Sequence, residues 1–463
     1  MKELISKIDS ARGAEIFSEL YGAQEIDAAR RRYKSLITKM LNEGPDGFPE
    51  TDRCDASGNL RIFSAPGRTE LGGNHTDHNR GKVLAASIQL DNAAIVQERS
   101  DKTVFFRSTG HPDVKVKLTD SSGAPDLEPK PEEEGMTESL IRGIAAGLSR
   151  KGCECRQGYP PGGFSANADS AVFSGSGLSS SAAVEVLFGR IFDSLYGEGK
   201  LSSLEIAQIG QFAENTYFGK PCGLMDQTAC AAGGAVSIDF ADTAHPVVKQ
   251  INFDLAAMGY ALCVVNTGGS HADLTDYYAS IPAEMKAAAA FFGKSVLREL
   301  EKETVLSRAA EVRKALGDRA LLRTIHFFDE NERVDNMAAA LDEMNKADTA
   351  AGKRYALNCY LNLVNESGDS SWELLQNVYP RPDDQGISIA LALTRDFFRK
   401  QKLHHSGNPA ACRVHGGGFA GAIQVYIPLD AMDAYRTNIE AVFGPGSLTP
   451  LRIRPLGAVE LLF

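Results

Sequence analysis

The chain has 463 residues, 43% of them hydrophobic, with a formal net charge of −11 at pH 7 and a sequence pI near 5.4. That acidic balance argues against a general partner of nucleic acid or of an anionic membrane surface. The sequence holds no apolar run long enough to cross a bilayer, and Met1-Lys2-Glu3-Leu4-Ile5 lacks a signal-peptide core. The length leaves room for two to three domains and a sizeable core. Eight scattered cysteines read as reduced thiols of a cytoplasmic protein; Cys153 and Cys155 are close, but no second pair at metal spacing accompanies them.

Residues 1–50 form a helical extension. Ile26, Ala29, Tyr33, Leu36, Ile37 and Leu41 recur near the helical period, and Gly44-Pro45-Asp46-Gly47 ends the unit. Arg61-Ile62-Phe63 reads as a strand running into Ser64-Ala65-Pro66-Gly67-Arg68-Thr69-Glu70-Leu71-Gly72-Gly73-Asn74-His75-Thr76-Asp77-His78-Asn79. Pro-Gly and Gly-Gly mark tight turns there, and the density of hydrogen-bonding side chains suits a polyhydroxyl ligand. Ala93–Val96 and Val104–Phe106 read as further strands, 120–135 as an exposed acidic and proline-rich loop, and Ser139–Ser149 as a helix.

A strand over 163–172 leads into Val172-Phe173-Ser174-Gly175-Ser176-Gly177-Leu178-Ser179-Ser180-Ser181-Ala182-Ala183. This is a Gly/Ser loop feeding a helix N-terminus, where backbone N–H groups, hydroxyls and the helix dipole favour an anion. It lacks the lysine of a Walker A loop, and alone it fits a plain turn as well as a phosphate cradle. Ser203–Tyr217 reads as a helix carrying Glu214, which by local pattern is a solvated side chain. Asp226 follows the turn Pro221-Cys222-Gly223; locally it fits a helix cap as well as a general base.

Polar residues and Pro246 interrupt the pattern between Asp239 and Phe253, which places a domain boundary at 248/249. The second domain opens with the strand Tyr260–Val265, followed by a helix over 275–292. A second glycine-rich loop, Arg413-Val414-His415-Gly416-Gly417-Gly418-Phe419-Ala420-Gly421-Ala422, precedes the strand Ile423–Ile427.

In this order and spacing the three loops resemble the three motifs of the GHMP kinases. The segment PGRTELGGNHTDHN resembles the galactokinase signature, and Pro221-Cys222-Gly223-Leu224-Met225-Asp226-Gln227 resembles the segment with that family's catalytic aspartate. The resemblance implies a two-domain α+β GHMP kinase fold, domains at 51–248 and 249–463, and an active site in the cleft between them. It implies ATP-dependent phosphorylation of the anomeric hydroxyl of D-galactose, with Mg2+. The sequence does not give the oligomeric state; a monomer is the expectation. Asp226 would act as base and Arg68 as its partner. Asn74, His75, Asp77, Gly223 and Tyr278 would bind the sugar, with Tyr277 one position away from the last assignment. Gly175, Ser176, Gly177, Leu178, Ser179, Ser180 and Ser181 would hold ATP, supported by Gly416, Gly417 and Gly418. Ser181 and Glu214 would hold the metal.

The chain departs from the family pattern at several places. Asn74 stands where the family usually has Glu, Glu70 where it has Asn, and His78 where it has Tyr. His415, Ala420 and Ala422 replace Thr, Gly and Cys, and no aromatic residue flanks adenine near Thr137. The neutral Asn74 is expected to weaken recognition at the sugar 6-position. Two alternatives follow: a kinase for N-acetylgalactosamine or L-arabinose, or a non-catalytic galactose sensor. An intact Ser179-Ser180-Ser181-Ala182-Ala183 and the presence of Asp226 favour the enzyme.

Overall fold

The computed structural model describes residues 2–42, 59–99, 101–151, 162–173, 177–269, 274–403 and 409–463. The turn at 44–47, the pair Cys153 and Cys155, the loop residues Gly175 and Ser176, and 270–273 lie outside the described residues. The strands are β1 (Leu60–Gly72), β2 (Lys82–Arg99), β3 (Thr103–Ser108), β4 (Val114–Lys117), β5 (Gly163–Ser170), β6 (Ala235–Asp239), β7 (Val247–Ile251), β8 (Tyr260–Asn266), β9 (Ala411–His415), β10 (Ala422–Pro428), β11 (Leu448–Leu451) and β12 (Val459–Glu460). Two sheets result. The first runs β12-β1-β2-β5-β3-β4, with β6 on the early stretch of β2 and β7 beyond it; the second runs β11-β8-β10-β9.

β1 and β2 are long because their apolar residues are buried almost without interruption. Their register shifts between Pro66 and Arg68 and again between Glu70 and Gly72. Such bulges turn side chains off the regular pleat, and here they bracket Arg68 and Glu70.

The extension folds as α1 (Lys2–Asp9), α2 (Ala11–Tyr21) and α3 (Ile26–Asn42). Its Phe17, Tyr33 and Ile37 pack on Ile62, Ala93 and Ile95 of the first sheet and on Leu461 just after β12. Each such buried side chain contributes roughly 1.5–3 kcal/mol. The opposite side of that sheet is covered by α4 (Thr137–Arg150), α5 (Ser180–Tyr196), α6 (Ser203–Ala213) and α7 (Met225–Ala232).

The remaining helices are α8 (Thr275–Phe291), α9 (Lys302–Ser307), α10 (Ala309–Leu316), α11 (Asp318–Lys346), α12 (Ala350–Ser370), α13 (Gly386–Lys400) and α14 (Met432–Phe443). The pair α11 and α12 spans both sheets: Val334, Met337, Leu357 and Tyr360 share one core with Leu71 and Val83 on one side and Leu262, Val264 and Tyr426 on the other.

The expected boundary at 248/249 falls inside β7, which pairs with β6 in the first sheet. Part of the polar stretch read as an interruption, Val247–Ile251, is therefore a strand, whose residues are exposed or half-buried. Chain leaves the first sheet at Ile251, bridges back to β2 at Ile453 opposite Ile88 and pairs with β1 at Val459. Among the described residues no helix is long and apolar enough to cross a membrane.

Candidate active site

Three turns meet in a cavity of about 660 Å³ between the two sheets' units, lined by Arg68, Glu70, Asn74, His75, Asp77, His78, Lys220, Gly223, Asp226, Tyr278, Lys286, Gly416 and Gly417 among others. Arg68 and Asp226 lie 158 positions apart and form a two-toothed ion pair. Arg68 Nε donates to Asp226 Oδ1 and Nη2 to Oδ2, each at 2.8 Å. Burial opposes the charge on Asp226, but Arg68 and the hydroxyl of Ser179 more than offset it and hold the carboxyl below its ordinary value. Its side chain keeps 33% exposure, against 6% for Arg68. The carboxylate is thus ionised, fixed and open on one side.

The end of the Gly/Ser loop is fixed by the same contacts. Leu178 is buried, its carbonyl accepts from Arg68 N at 3.1 Å, and Arg68 Nη1 donates to Gly177 O. Ser179 sits at φ 58°, ψ 57°, a left-handed conformation that a serine adopts at a cost. Its hydroxyl donates to Asp226 Oδ2 and does not cap α5. Ser181, which the local pattern also fits as a cap, is the second residue of α5 and is exposed.

The third loop buttresses the first two. Gly416 has φ +66°, and a Cβ there would lie 3.4 Å from Gly177, so the two glycine-rich loops touch. Tyr278 OH donates to Gly418 O at 2.9 Å and its ring stands edge-on to Phe419. Tyr278 lines the cavity while Tyr277 packs on Phe419, which supports Tyr278 over its neighbour.

His75 and Asp77 face the cavity from the turn after β1. His75 Nε2 donates to Gly417 O at 2.9 Å, which leaves Nδ1 as an acceptor. Burial, with His78 adding to it, drops the His75 pKa to about 3, so the ring is neutral at physiological pH. Asp77 Oδ1 accepts from His78 N at 3.0 Å. Its Oδ2 lies where a Cβ on residue 223 would come within 1.8 Å, so only glycine fits at Gly223.

Asn74 corrects the expectation. Its side chain is fully buried and every hydrogen-bonding position is taken. Nδ2 donates to Glu70 Oε1 at 3.1 Å and to Gly416 O at 2.7 Å; Oδ1 accepts from Asn377 Nδ2 at 2.8 Å and Ser371 Oγ at 3.5 Å. Nothing remains for a sugar hydroxyl. The reason is the partner: Glu70 pairs with the buried Arg413, so the two departures from the family pattern form one bonded unit.

Glu214 is the second surprise. The residue that by local pattern is a solvated side chain, and by resemblance a metal ligand, is buried, in a π-helical turn (Glu214–Phe218) that follows α6. Gln227 Nε2 donates at 2.9 Å both to Glu214 Oε2 and to Glu185 Oε2. Glu185 is fully buried, and its burial and Glu214 push its pKa well up. The sequence reading missed Glu185, Lys220 and Asn377. Glu185 had one signal: it lies one helical turn beyond Ser181. A second π-helical turn, Ser371–Leu375, ends α12, and both turns close on a left-handed residue, Gly219 or Gln376. The next residue after the first turn, Lys220, lines the cavity, and that after the second, Asn377, is buried behind it and bonds Asn74.

A family profile described as "Galactokinase galactose-binding signature" matches residues 52–98, and one described as "GHMP kinases N terminal domain" matches residues 139–234. A galactokinase of Streptomyces coelicolor is 31% identical over 400 residues, covering 85% of this chain and 91% of that one. The chain belongs to the galactokinase family. A family member from Glaesserella parasuis is 29% identical over 386 residues, covering 81% of this chain and 87% of that one. The structure of Lactococcus lactis galactokinase complexed with galactose matches with a TM-score of 0.70 at 24% identity, covering 92% of this chain and 100% of that one. Methanococcus jannaschii mevalonate kinase matches at 0.54 with 14% identity, covering 86% and 99%. Those two likenesses bear on the fold, which is the two-domain α+β fold of GHMP kinases.

Proposed function

We propose that the protein is a galactokinase that transfers the γ-phosphoryl group of ATP to the anomeric hydroxyl of D-galactose. The observation that supports this most is Asp226: an ionised carboxylate gripped by Arg68 and Ser179, with its free side on the cavity that His75, Asp77 and Tyr278 also line. In the step, a bond forms from the sugar oxygen to phosphorus, the bond from phosphorus to the ADP oxygen breaks, and the hydroxyl proton passes to Asp226. Because Arg68 keeps Asp226 weakly basic, the carboxylate first orients the hydroxyl and takes the proton late, as phosphoryl transfer acidifies it. Arg68 then stabilises the charge that develops beside it. His75 Nδ1 and Asp77 accept from sugar hydroxyls, and Tyr278 offers its phenol oxygen.

Residues for Mg2+ fit the ion. Among the described residues no group of three His, Cys, Asp or Glu could hold a metal, but Mg2+ takes only one or two protein oxygens when it is bound with nucleotide phosphates. Glu214 supplies a buried carboxylate, and Ser181 an exposed hydroxyl on the first turn of α5. Glu185 Oε1 and Gln227 Oε1 beside Glu214 are buried without a hydrogen-bond partner. When bound there, Mg2+ neutralises phosphate charge.

A sugar-dependent ADP-release assay over galactose, glucose, N-acetylgalactosamine and L-arabinose tests the reading. Galactose is expected to turn over and glucose to fail, since a site built for one hydroxyl strands its own polar groups when that hydroxyl is misplaced. Turnover of N-acetylgalactosamine without galactose rejects the substrate, and no turnover with any sugar rejects the enzyme in favour of a sensor.

A further inference from the structure

Lys220 is placed by the turn after α6. That π-helical turn closes on Gly219 at φ +81°, and Lys220 N then donates to Glu214 O at 3.2 Å. The fold-back returns Lys220 Nζ to 3.2 Å from Glu214 Oε1. The two ends of this ion pair differ. The Glu214 side chain is 4% exposed and held by Gln227; that of Lys220 is 62% exposed. One end is fixed and the other stands largely in solvent, and an ion pair with an exposed end holds weakly. Among the described residues no other salt bridge reaches Glu214 or Glu185, although both are buried carboxylates.

Lys220 also lines the cavity with Arg68 and Asp226. A divalent cation joining Glu214 to nucleotide phosphates needs the carboxylate oxygen that the ammonium now faces. Metal–oxygen distances for Mg2+ are only ~2.0–2.1 Å. A flexible side chain that reaches Glu214 Oε1 therefore reaches phosphate oxygens across such an ion.

We infer that Lys220 is an exchangeable counter-ion. It neutralises Glu214 before nucleotide binds, yields that carboxylate to the incoming divalent cation, and its ammonium then contacts the phosphate oxygens during transfer. Lys220 stays protonated throughout. A compact ammonium on a four-carbon stem suits the exchange. The inference rests on the kinase reading above and on Glu214 as the carboxylate that meets the metal.

The test uses Lys220→Met and Lys220→Arg in the full chain, with two readouts. Mn2+ binding without nucleotide, followed by electron paramagnetic resonance, is expected to tighten several-fold in Lys220→Met, whereas Lys220→Arg keeps the wild-type affinity. An unchanged or weaker Mn2+ affinity in Lys220→Met overturns the exchange. With Mg2+, ATP and galactose, kcat of Lys220→Met is expected to fall ~10²-fold, the loss typical of one preorganised charge contact. KM for galactose should stay within about threefold, and Lys220→Arg should recover most of kcat. An unchanged kcat overturns the phosphate contact. A wild type without sugar-dependent ADP release condemns the kinase reading itself, and the Mn2+ readout, which needs no turnover, keeps that failure separate from this one.

Discussion

Two aspartates in this molecule have been given nearly the same partners and opposite surroundings. Asp91, behind the first sheet, is fully buried and takes Arg32 Nη1 at 2.6 Å, Arg454 Nη1 at 3.1 Å, Tyr21 OH at 2.7 Å and the hydroxyl of Ser64. Asp226, in the cleft, takes Arg68 and the hydroxyl of Ser179. Both are held below the ordinary carboxylate pKa, in each case by arginine against the opposing effect of burial. Asp91 has one more arginine and a tyrosine, but the larger difference is access. The carboxylate of Asp91 is closed on every side, so its whole charge serves to clamp α2, α3 and the residues before β12 to the sheet. Asp226 lacks such closure on one side, and that gap makes it available to a substrate. An arginine partner alone therefore does not mark a carboxylate that a substrate can reach; an open face beside it does.

The comparison breaks most sharply at Asp226. In Asp226→Asn, kcat is expected to fall ~10²–10⁴-fold, while the melting temperature and ATP binding stay close to wild type. Near wild-type turnover rejects the base, and an unfolded variant would make Asp226 a structural twin of Asp91. The reverse holds for Asp91→Ala. Removing one member of a buried ion cluster costs about 3–5 kcal/mol of stability, read by denaturant unfolding, with kcat per folded molecule unchanged. A specific loss of kcat there would mean that the back of the sheet acts on the cleft.

A third buried pair, Glu70 with Arg413, sharpens the contrast. Glu70 lines the cavity, yet it is 2% exposed and shares its oxygens with Asn74. Burial raises its pKa despite Arg413. Asn74→Glu alone sets two carboxylates against each other and should destabilise the fold. The exchange Glu70→Asn with Asn74→Glu should recover most of the loss, a coupling of about 0.5–3 kcal/mol for residues in contact. Additive costs in the double-mutant cycle would show that the two positions act independently.

The smallest expected effect is on acid stability. His75 has a folded pKa of about 3, below its ordinary value of 6.5. The unfolded chain therefore takes up the proton first. The contribution of the neutral ring is complete above about pH 6.5 and is lost as pH falls towards 3, by about 2 kcal/mol at pH 5. In His75→Gln this part of the pH–stability curve should flatten between pH 6.5 and 5. An unaltered curve would show that His75 titrates normally in the fold.

Much of the site was legible because its chemistry is local. Glycine, serine and proline spacing marked the loop ends, and α5, β8 and β10 begin within a few residues of where the pattern put them. The pairing of Arg68 with Asp226 came from motif resemblance and holds in the geometry. What escaped depends on residues far apart in the chain. Asn74 was read as facing a sugar because it stands where the family has a sugar-binding Glu; Asn377, 303 positions away, holds it inward. Glu214 looked solvated because a π-helical turn, which carries no periodic signal, folds it under Lys220. β7 and β12 were missed for the same reason: short, partly exposed strands are defined by the partner they find.

The return of β12 to the first sheet also has a consequence in time. Arg61 meets Glu460 across 399 positions of chain, and Arg454 completes the ion cluster around Asp91. A ribosome adding about 5–20 residues per second needs roughly 20–80 s to make that stretch. Throughout that interval the nascent first sheet has an unpaired edge at β1 and a carboxylate short of an arginine. Its closure therefore follows synthesis of nearly the whole catalytic region, and a nascent chain stalled before Arg454 should remain open to proteases and to chaperones that bind exposed strand edges.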